Sequence, residues 1–437
     1  GDGGGLGGKG PGGSPLAGGQ QYSASIQSAA VAAEAPSVGE VIGVFSDAAT
    51  AIARPVSTGP TGVGNAPVSG LGDALAGAGI KGPGGPWLGA GRMGPKRAIN
   101  LKQYGGSQET ERAVLAALRW LKANQQPDGS WPLRNDAGTA LGVLCFLGHG
   151  ENADSPEFGA TVQKALEKLA KAVPANGNVT GAMYEQGLVT LALSEGYMLT
   201  SSPMLREPLE RATKLILTAQ KVPKTNPIHT GGWHYSPQAP TADTSVTGWV
   251  FMAMKSAKSA GIEVPQEHMD LAAQYFWNAY HPGGGFGYNG PALGGAMTPV
   301  GVFCQQMLGN GKDKRLEKAL DNMRKETMNW DTDGGWAMYR WYYHTLATFQ
   351  GGGQYWGPWN KIMRDTLLKT QKEDGHWPLP PKSAEAGHLG NDPLGPKVYS
   401  TTLATLMLEV YYRYLPIYQL IEQPTAPKTA PSTAVKS

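Results

Sequence analysis

Two carboxylates, Glu185 and Asp243, stand where they could do chemistry. Each lies at the start of an apolar, helix-like segment, the first beginning near Ala182 and the second near Thr244. A pair of carboxyl groups that faces one bond can cleave a glycosidic link, with one group acting as the acid and the other as the base or nucleophile. Asp243 also has a simpler role, because Asp followed by Thr and Ser is typical of a helix N-cap. We favour the N-cap interpretation and leave the catalytic one open.

Aromatic residues gather around the starts of the same apolar segments. Rings and hydroxyls that converge on one opening are typical of a ligand-binding cavity. The candidate cavity residues are Tyr184, Trp233, Trp336, Tyr339, Tyr342, His344 and Tyr399. The alternative is that the tryptophans only wedge neighbouring elements together and that His344 is a core histidine with satisfied ring nitrogens.

The sequence offers little material for metal or redox chemistry. Its two cysteines, Cys145 and Cys304, both lie in apolar runs, where a small buried thiol is expected. They cannot build a disulfide framework or a paired-cysteine metal site. No two aspartates are adjacent, which removes the usual diphosphate–magnesium motif. We therefore expect neither a metal nor a cofactor.

Composition limits the classes of protein that remain. The chain has 437 residues, of which 41% are hydrophobic and 16% charged, and its formal net charge is +3. Charges of both signs are interspersed, so no basic stripe predicts nucleic-acid binding. No run approaches the roughly 18 apolar residues that a membrane span needs.

The two ends of the chain differ from its middle. Residues 1–105 are rich in Gly, Ala, Pro and Ser, and we expect a mostly disordered linker there, with a short helix over 41–53 as an option. Residues 92–104 are expected to dock onto the following domain. Residues 422–437 are expected to form a disordered tail. The linker is a candidate tether to a protein partner or to an upstream membrane anchor in a bacterial cell envelope; the oligomeric state stays open.

The elements that must position the candidate residues are repeated helical pairs. The turn at 126–131, Gln-Pro-Asp-Gly-Ser-Trp, recurs closely at 371–377 and more weakly elsewhere. Ser107 is a candidate N-cap for the first helix. The first helix of each pair has a charged face and belongs outside, whereas the second is apolar on most sides and belongs inside.

A closed ring is the architecture that this alternation favours. An open array of helical pairs needs polar end caps, and neither the first nor the last pair is polar enough to serve as one. We therefore predict an all-α protein in which residues 106–421 form an α/α (α6/α6) toroid of six helical hairpins. All inner helices then run in one direction, and their first residues meet at one rim.

The repeats resemble a known group of toroids. The segments 126–131 and 371–377 are similar to the QW repeats of squalene cyclases, within the terpenoid cyclase and protein prenyltransferase superfamily. The chain from about 107 to 418 is most similar to bacterial prenyltransferase/squalene-oxidase-repeat proteins. Further segments that carry the resemblance are 183–186, 243–249, 297–301 and 408–413. The resemblance implies the α/α toroid fold, whereas chemistry does not follow from a fold.

The catalytic motifs of these families are not retained. Squalene-type cyclases use an Asp-x-Asp-Asp cluster, and the matching segment here, Thr-Ala-Asp-Thr, has Ala242 at the place of the proton donor. Prenyltransferases hold zinc with Asp-x-Cys, but Val143 and Val302 stand where that aspartate would be. Thioester toroids carry Gly-Cys-Gly-Glu-Gln, and Met183 replaces the cysteine.

Three functional hypotheses remain. The first is a binding or scaffold protein that holds an isoprenoid, a lipid or another extended ligand in a central cavity. The second is an isoprenoid-processing enzyme in which Asp243 is the proton donor. The third is a polysaccharide-cleaving enzyme that uses Glu185 and Asp243 as its carboxylate pair.

Overall fold

The computed structural model describes Arg92 and residues 94–414, and helices are the main regular structure in this part of the chain. The expected helix over 41–53, the linker before Arg92 and the tail at 422–437 lie outside the described residues and stay predictions. The helices are α1 Gly94–Gln103, α2 Gln108–Ala123, α3 Ala137–His149, α4 Gly159–Ala172, α5 Met183–Thr200, α6 Pro203–Gln220, α7 Thr244–Ser259, α8 Gln266–Asn278, α9 Met297–Gln305, α10 Lys314–Met323, α11 Ala337–Gly351, α12 Gly353–Thr370, α13 Gly395–Leu408 and α14 Val410–Arg413. Two short antiparallel strands, β1 Tyr280–His281 and β2 Gly285–Phe286, lie between α8 and α9.

Helix α2 shows why the first helix of a pair forms where it does. The Ser107 side chain accepts a hydrogen bond from the Thr110 amide, and the Thr110 hydroxyl accepts one from the Ser107 amide, so two otherwise orphaned donors are satisfied. Val114, Leu118 and Leu121 then recur on one buried face. The predicted N-cap is confirmed, and the helix presents its charged face to solvent.

The second helix of each pair is enclosed by protein. Every residue of α3 is buried, including Thr139 and His149. Helices α5, α7, α9, α11 and α13 are buried over nearly their whole length. A helix that is apolar on all sides needs neighbours on all sides, and a second ring of helices around it supplies them.

The helical pairs close into a ring. The inner helices touch in the order α3, α5, α7, α9, α11 and α13, and α13 packs back against α3. The outer ring is joined by a hydrogen bond from the Gln371 amide, just after α12, to the Ala113 carbonyl of α2 at 2.8 Å. The Trp356 indole of α12 also donates to the Tyr104 carbonyl at 2.8 Å. The predicted α/α toroid is confirmed.

A Gln–Gly–Trp turn ties successive pairs together. The Gln125 amide donates to the carbonyls of Gly129 and Thr161, each at 3.0 Å, and so connects its own turn to the next outer helix, α4. The Trp131 indole donates to the Leu121 carbonyl at 2.7 Å. The glutamine that makes these bonds is therefore Gln125 and not Gln126, with which the repeat was aligned above.

Gly129 is required in this turn for two reasons. Its φ is +90°, a conformation that residues with a side chain rarely adopt. A Cβ at this position would lie 2.5 Å from the Lys164 carbonyl oxygen, so the turn and α4 could not approach each other as they do. The contact between neighbouring pairs thus depends on the absence of a side chain.

Toward the carboxyl ends of the inner helices the ring is closed by charged groups. The Glu195 carboxylate lies between the guanidinium groups of Arg92 and Arg413, each at 2.8 Å, and all three side chains are buried. Arg92 also donates to the Leu147 carbonyl at 3.0 Å. The segment before α1 is thus anchored inside the toroid, which agrees with the expected docking of residues 92–104.

Candidate functional site

The interior of the inner ring is occupied by aromatic side chains. Trp249 of α7 stacks on Tyr342 of α11 with ring centroids 5.4 Å apart, and it lies edge-on to Tyr339 and Tyr343 at 6.4 and 5.4 Å. Helix α9 separates α7 from α11 in the ring, so these contacts cross the interior behind α9. The middle of the toroid is therefore packed in the same way as a protein core.

Two cavities among the described residues lie away from this interior. One, of about 290 Å³, opens beside the turn after α6 and is lined by residues that include Gln220 and Lys224. The other measures about 20 Å³, room for about one water, and lies beside His344. In the described part of the chain, aromatic rings of α7 and α11 meet in the space where the sequence predicts an open central cavity for an apolar ligand.

The seven predicted cavity residues do not share one site. Tyr342 belongs to the packed interior. The Trp233 indole donates to the Ile216 carbonyl at 2.9 Å, and its ring is buried in the turn before α7, which is the wedging role proposed as the alternative. His344 lies on the outer side of α11, stacked on Trp359 with centroids 3.7 Å apart. Burial lowers the pKa of the His344 imidazole.

The other four predicted residues lie at the rim formed by the amino ends of the inner helices. Tyr184 packs edge-on to Trp249 at 6.2 Å, at the top of the filled interior. Tyr399 donates its hydroxyl to a carboxylate described below. Trp336 is half-buried and packs against His388 at 4.9 Å. Tyr339 contacts groups on two sides of the rim, as described below.

Asp243 has the N-cap role predicted for it, and one of its oxygens remains unused. Its Oδ1 accepts hydrogen bonds from the Val246 amide at 2.9 Å and from the Ser245 hydroxyl at 2.6 Å. Its Oδ2 is buried and has no hydrogen-bond partner among the described residues. His234 Nε2 lies 3.8 Å from Oδ2. Burial raises the pKa of the Asp243 carboxyl, although the bonds from Ser245 and Val246 oppose the shift.

Glu185 has different partners. Its carboxylate lies 3.8 Å from Arg134 Nε and 3.5 Å from Asn135 Nδ2, both in the loop before α3. Glu185 and Asp243 thus begin the neighbouring inner helices α5 and α7, as predicted, but each carboxylate is directed toward a different set of groups.

A third carboxylate, Glu385, was missed in the sequence. It lies in the 3₁₀ turn Ala384–His388, is fully buried, and accepts hydrogen bonds from the amides of Met338 and Tyr339 at 3.2 and 2.9 Å and from the Tyr399 hydroxyl at 3.0 Å. Burial raises the pKa of the Glu385 carboxyl against the effect of these donors. The available signal was the lack of a capping side chain at the start of α11, which leaves amides for a distant residue to satisfy.

Tyr339 connects the two buried carboxyl groups. Its amide donates to Glu385, and its hydroxyl donates to the Ser245 carbonyl at 3.1 Å. Ser245 in turn donates its hydroxyl to Asp243. Asp243 and Glu385 therefore lie at opposite ends of the Tyr339 side chain and are held in fixed positions under the rim.

Exposed rings cover Asp243 from the solvent side. Tyr235 and Tyr288 are 42% and 39% exposed, and the His234 side chain is 36% exposed. We call Tyr235 and Tyr288 the rim patch. The Tyr235 carbonyl accepts from the Met183 amide and the Tyr288 carbonyl from the Thr244 amide, both at 2.7 Å, so the patch is fixed to the starts of α5 and α7.

Two further properties of the described residues bear on function. No helix among them is both long enough and apolar enough to cross a bilayer. In residues 92 and 94–414, no three His, Cys, Asp or Glu side chains come together as a group that could hold a metal ion.

Comparisons with known proteins identify the fold. No family model matches the chain, and no curated protein matches it in sequence. Among solved structures, an inactive variant of the α-1,6-mannanase GH76A of Salegentibacter sp. HEL1_6, in complex with α-1,6-mannotriose, gives a TM-score of 0.52 at 11% identity, covering 69% of this chain and 99% of that chain. The type II terpene cyclase MstE from Scytonema gives 0.46 at 13% identity, covering 69% and 98%.

These likenesses show an α/α toroid and nothing finer. At 11% identity the similarity to the mannanase concerns the path of the backbone, and the score for the cyclase is too low to carry an argument. One fold of this kind supports unrelated chemistries. The chain is an α/α toroid, and this fold by itself does not define its function.

Proposed function

We propose that this toroid is a binding or scaffold protein whose extended ligand lies across the rim patch. The observation that carries the proposal is the pairing of a filled interior with two exposed tyrosines, Tyr235 and Tyr288, beside each other on the rim. Large exposed rings are unfavourable in water and commonly mark interaction surfaces. Tyrosine offers both a flat apolar face and a hydroxyl, so it suits a ligand with mixed surfaces.

The rim patch is also preorganised. The backbone bonds that hold Tyr235 and Tyr288 to α5 and α7 mean that little loop entropy is lost when a ligand binds. We also propose that the N-terminal linker tethers this surface to a protein partner or to a membrane anchor. We further interpret the Gln–Gly–Trp turns as QW repeats of the squalene-oxidase type.

Cleavage of polysaccharide is less well supported. The mannanase of similar fold is inactive when two consecutive aspartates are changed. The present chain has no two consecutive aspartates, so that pair has no counterpart here. Glu185 and Asp243 are both buried and face different partners, which does not suit two groups that must act on one bond.

Acid catalysis by Asp243 is the second candidate, and one observation favours it. A buried carboxyl with a raised pKa and an unused oxygen is what a proton donor requires. Incubation with squalene or with geranylgeranyl diphosphate, followed by mass spectrometry, tests this. A product formed by the native chain and absent with Asp243→Asn would establish the enzyme; no turnover at high protein concentration removes it.

The binding proposal is tested by titration with two classes of probe. We expect either α-1,6-mannotriose, an extended polar chain, or farnesol, an extended apolar one, to bind the native chain in calorimetry. The double variant Tyr235→Ala/Tyr288→Ala should bind the same probe roughly tenfold more weakly or worse. Met204→Ala is the matched control, because Met204 is exposed at the opposite end of the toroid. Binding that survives the double change, or that neither probe shows, contradicts the proposal.

A further inference from the structure

We propose that Asp243 is the counter-ion for an organic ammonium group that binds under the rim patch. This inference rests on the proposed function, because it names the chemical class that the same rim recognises. It begins from one atom, the buried Oδ2 of Asp243, for which the described residues supply no donor.

The unused oxygen marks an incomplete site. Oδ1 already accepts two hydrogen bonds, so the N-cap role is satisfied without Oδ2. His234 Nε2, at 3.8 Å, is too far away to donate a hydrogen bond. Burying a carboxylate oxygen without a hydrogen-bond partner costs free energy. A cation that reaches this oxygen supplies the missing interaction. Asp243 therefore keeps one buried carboxylate oxygen to which no described residue donates a hydrogen bond.

Four tyrosines from different elements lie near enough to this carboxylate to sense its charge. Burial raises the phenol pKa of all four, and the negative charge of Asp243 adds to the effect at each one. They come from the turn before α7, from α8, from the loop after β2 and from α11, and are Tyr235, Tyr275, Tyr288 and Tyr339. Aromatic faces around a carboxylate attract organic ammonium groups through the ring quadrupole.

The charge at the rim has the sign that a cation needs. Three carboxylates, Glu185, Asp243 and Glu385, lie near the starts of the inner helices. Arg134 is 3.8 Å from Glu185 and half-exposed, so it offsets only one of them. The surroundings of Asp243 supply aromatic rings and hydroxyls where a metal ion would need several further carboxylate or imidazole ligands. An organic cation fits this set of groups better than a metal ion does.

His234 marks the entry to the site. Its half-exposed imidazole packs edge-on against Tyr235 with ring centroids 5.4 Å apart and lies over the Oδ2 side of Asp243. In this proposal an ammonium group reaches the carboxylate by displacing this ring. Removing the imidazole should therefore preserve or strengthen cation binding, which would not follow if His234 were a ligand-binding residue.

Nuclear magnetic resonance titrations of the full chain provide the test. Choline and its neutral isostere 3,3-dimethylbutan-1-ol have the same shape, so only charge distinguishes them. We expect choline to bind and the alcohol to bind at least tenfold more weakly, with Asp243→Asn reducing choline affinity roughly tenfold or more. His234→Ala should bind choline at least as tightly as the native chain. Nα-acetyl-lysine methylamide in a parallel titration distinguishes a side-chain ammonium from a choline-type head group as the source.

The controls keep the result unambiguous. Asn retains the N-cap, so Asp243→Asn should fold, and Asp128→Asn, at an exposed carboxylate, is the matched charge control. Equal binding of choline and the alcohol, no binding of either ammonium probe, or full binding by Asp243→Asn overturns the inference. If the ammonium probes fail while mannotriose or farnesol still binds the rim, the inference is wrong and the proposed function stands. If every probe fails, both are wrong.

Discussion

Three buried carboxyl groups differ in what surrounds them. Glu195 lies between two arginines, and their charges hold its pKa below the usual value although burial alone would raise it. Glu409 is also fully buried, but neither of its oxygens has a hydrogen-bond partner among the described residues, and burial raises its pKa well above the usual value. Asp243 is intermediate, with one oxygen used and one free. The partners, more than the depth of burial, set the charge of each group.

Replacing each of the two buried glutamates, Glu195 and Glu409, with glutamine should have unequal effects on stability. Glu195→Gln leaves two buried guanidinium groups without their shared counter-charge, so we expect a loss of about 3–5 kcal/mol in the free energy of unfolding. Glu409→Gln replaces an acid, whose pKa burial raises well above its usual value, with an amide of the same shape and should change stability by about 1 kcal/mol or less. Urea denaturation at pH 7 measures both. Equal losses would show that Glu409 is charged and paired.

The raised pKa of Asp243 predicts a pH dependence of stability. A carboxyl that is harder to ionise in the folded state makes folding less favourable as the pH rises from the unfolded value of 3.8 through the folded one, and the loss persists above it. Asp243→Asn removes this pH-dependent contribution to stability and keeps the N-cap of α7. We expect the stability of the variant relative to the native chain to increase between pH 4 and pH 8.

The measurement is the difference in urea midpoint between the two proteins across that range. Asp128→Asn is the opposite case, because hydrogen bonds from Ser130 and Lys168 lower the pKa of Asp128 to about 2. That variant should lose, rather than gain, relative stability as the pH rises, and the loss should fall between about pH 2 and pH 4, with little change above that. Parallel curves for Asp243→Asn and the native protein would contradict the assignment.

At the scale of elements, the toroid is held together by its turns. The side-chain amide of Gln125 joins its own turn to α4, and the amide of Gln371 joins the last turn to α2 in the same way, donating to Gly375 at 2.9 Å and to Ala113 at 2.8 Å. Each amide satisfies one carbonyl within a pair and one in the next pair. The turn is therefore a connection between pairs as well as a change of direction.

Replacing Gln125 or Gln126 with alanine should show which of these adjacent glutamines connects the turn to α4. Gln125→Ala removes the donor for two carbonyls, and we expect a loss of about 1–3 kcal/mol in the free energy of unfolding. Gln126→Ala, at an exposed neighbour, should cost about 0.5 kcal/mol or less. Thermal and urea unfolding of the two variants provide the comparison, and similar losses would show that the turn has been misassigned.

Much of this architecture could be predicted from sequence because inner and outer helices differ in composition. The details that could not be predicted depend on contacts between residues that are far apart in the sequence, or on a choice between chemically equivalent neighbours. Gln125 and Gln126 are chemically identical neighbours, and only the geometry of the turn selects one. Glu385 caps the amide of Tyr339 from 46 residues away, and the missing local cap of α11 does not say which distant residue replaces it. The N-cap role of Asp243 is local, and it was predicted correctly.

At the scale of the molecule, the closure of the helical ring and the filling of its interior are two properties that the sequence predicts to different extents. Closure could be predicted because neither terminal pair is capped. The filling could not, since an apolar inner face is compatible with an empty hollow as well as with rings that meet across it. Trp249 and the tyrosines of α11 decide between the two, because together they are large enough to meet behind α9.

Removing Trp249 should recreate the hollow. Trp249→Ala is expected to cost about 3–5 kcal/mol, since the cavity lies among rigid helices that cannot collapse into it. Added indole should bind that cavity and raise the melting temperature of the variant, with no effect on the native protein. Trp336→Ala is the control, because that half-buried ring lies at the rim and leaves no enclosed space.

The central claim, that side chains occupy the inner ring and leave the rim as the binding surface, is tested most directly by crystals of the native protein under xenon pressure. Xenon enters dry apolar cavities and reports where they are. We predict no xenon site enclosed by α3, α5, α7, α9, α11 and α13. One or more xenon atoms bound inside that ring would show an open cavity and contradict the claim.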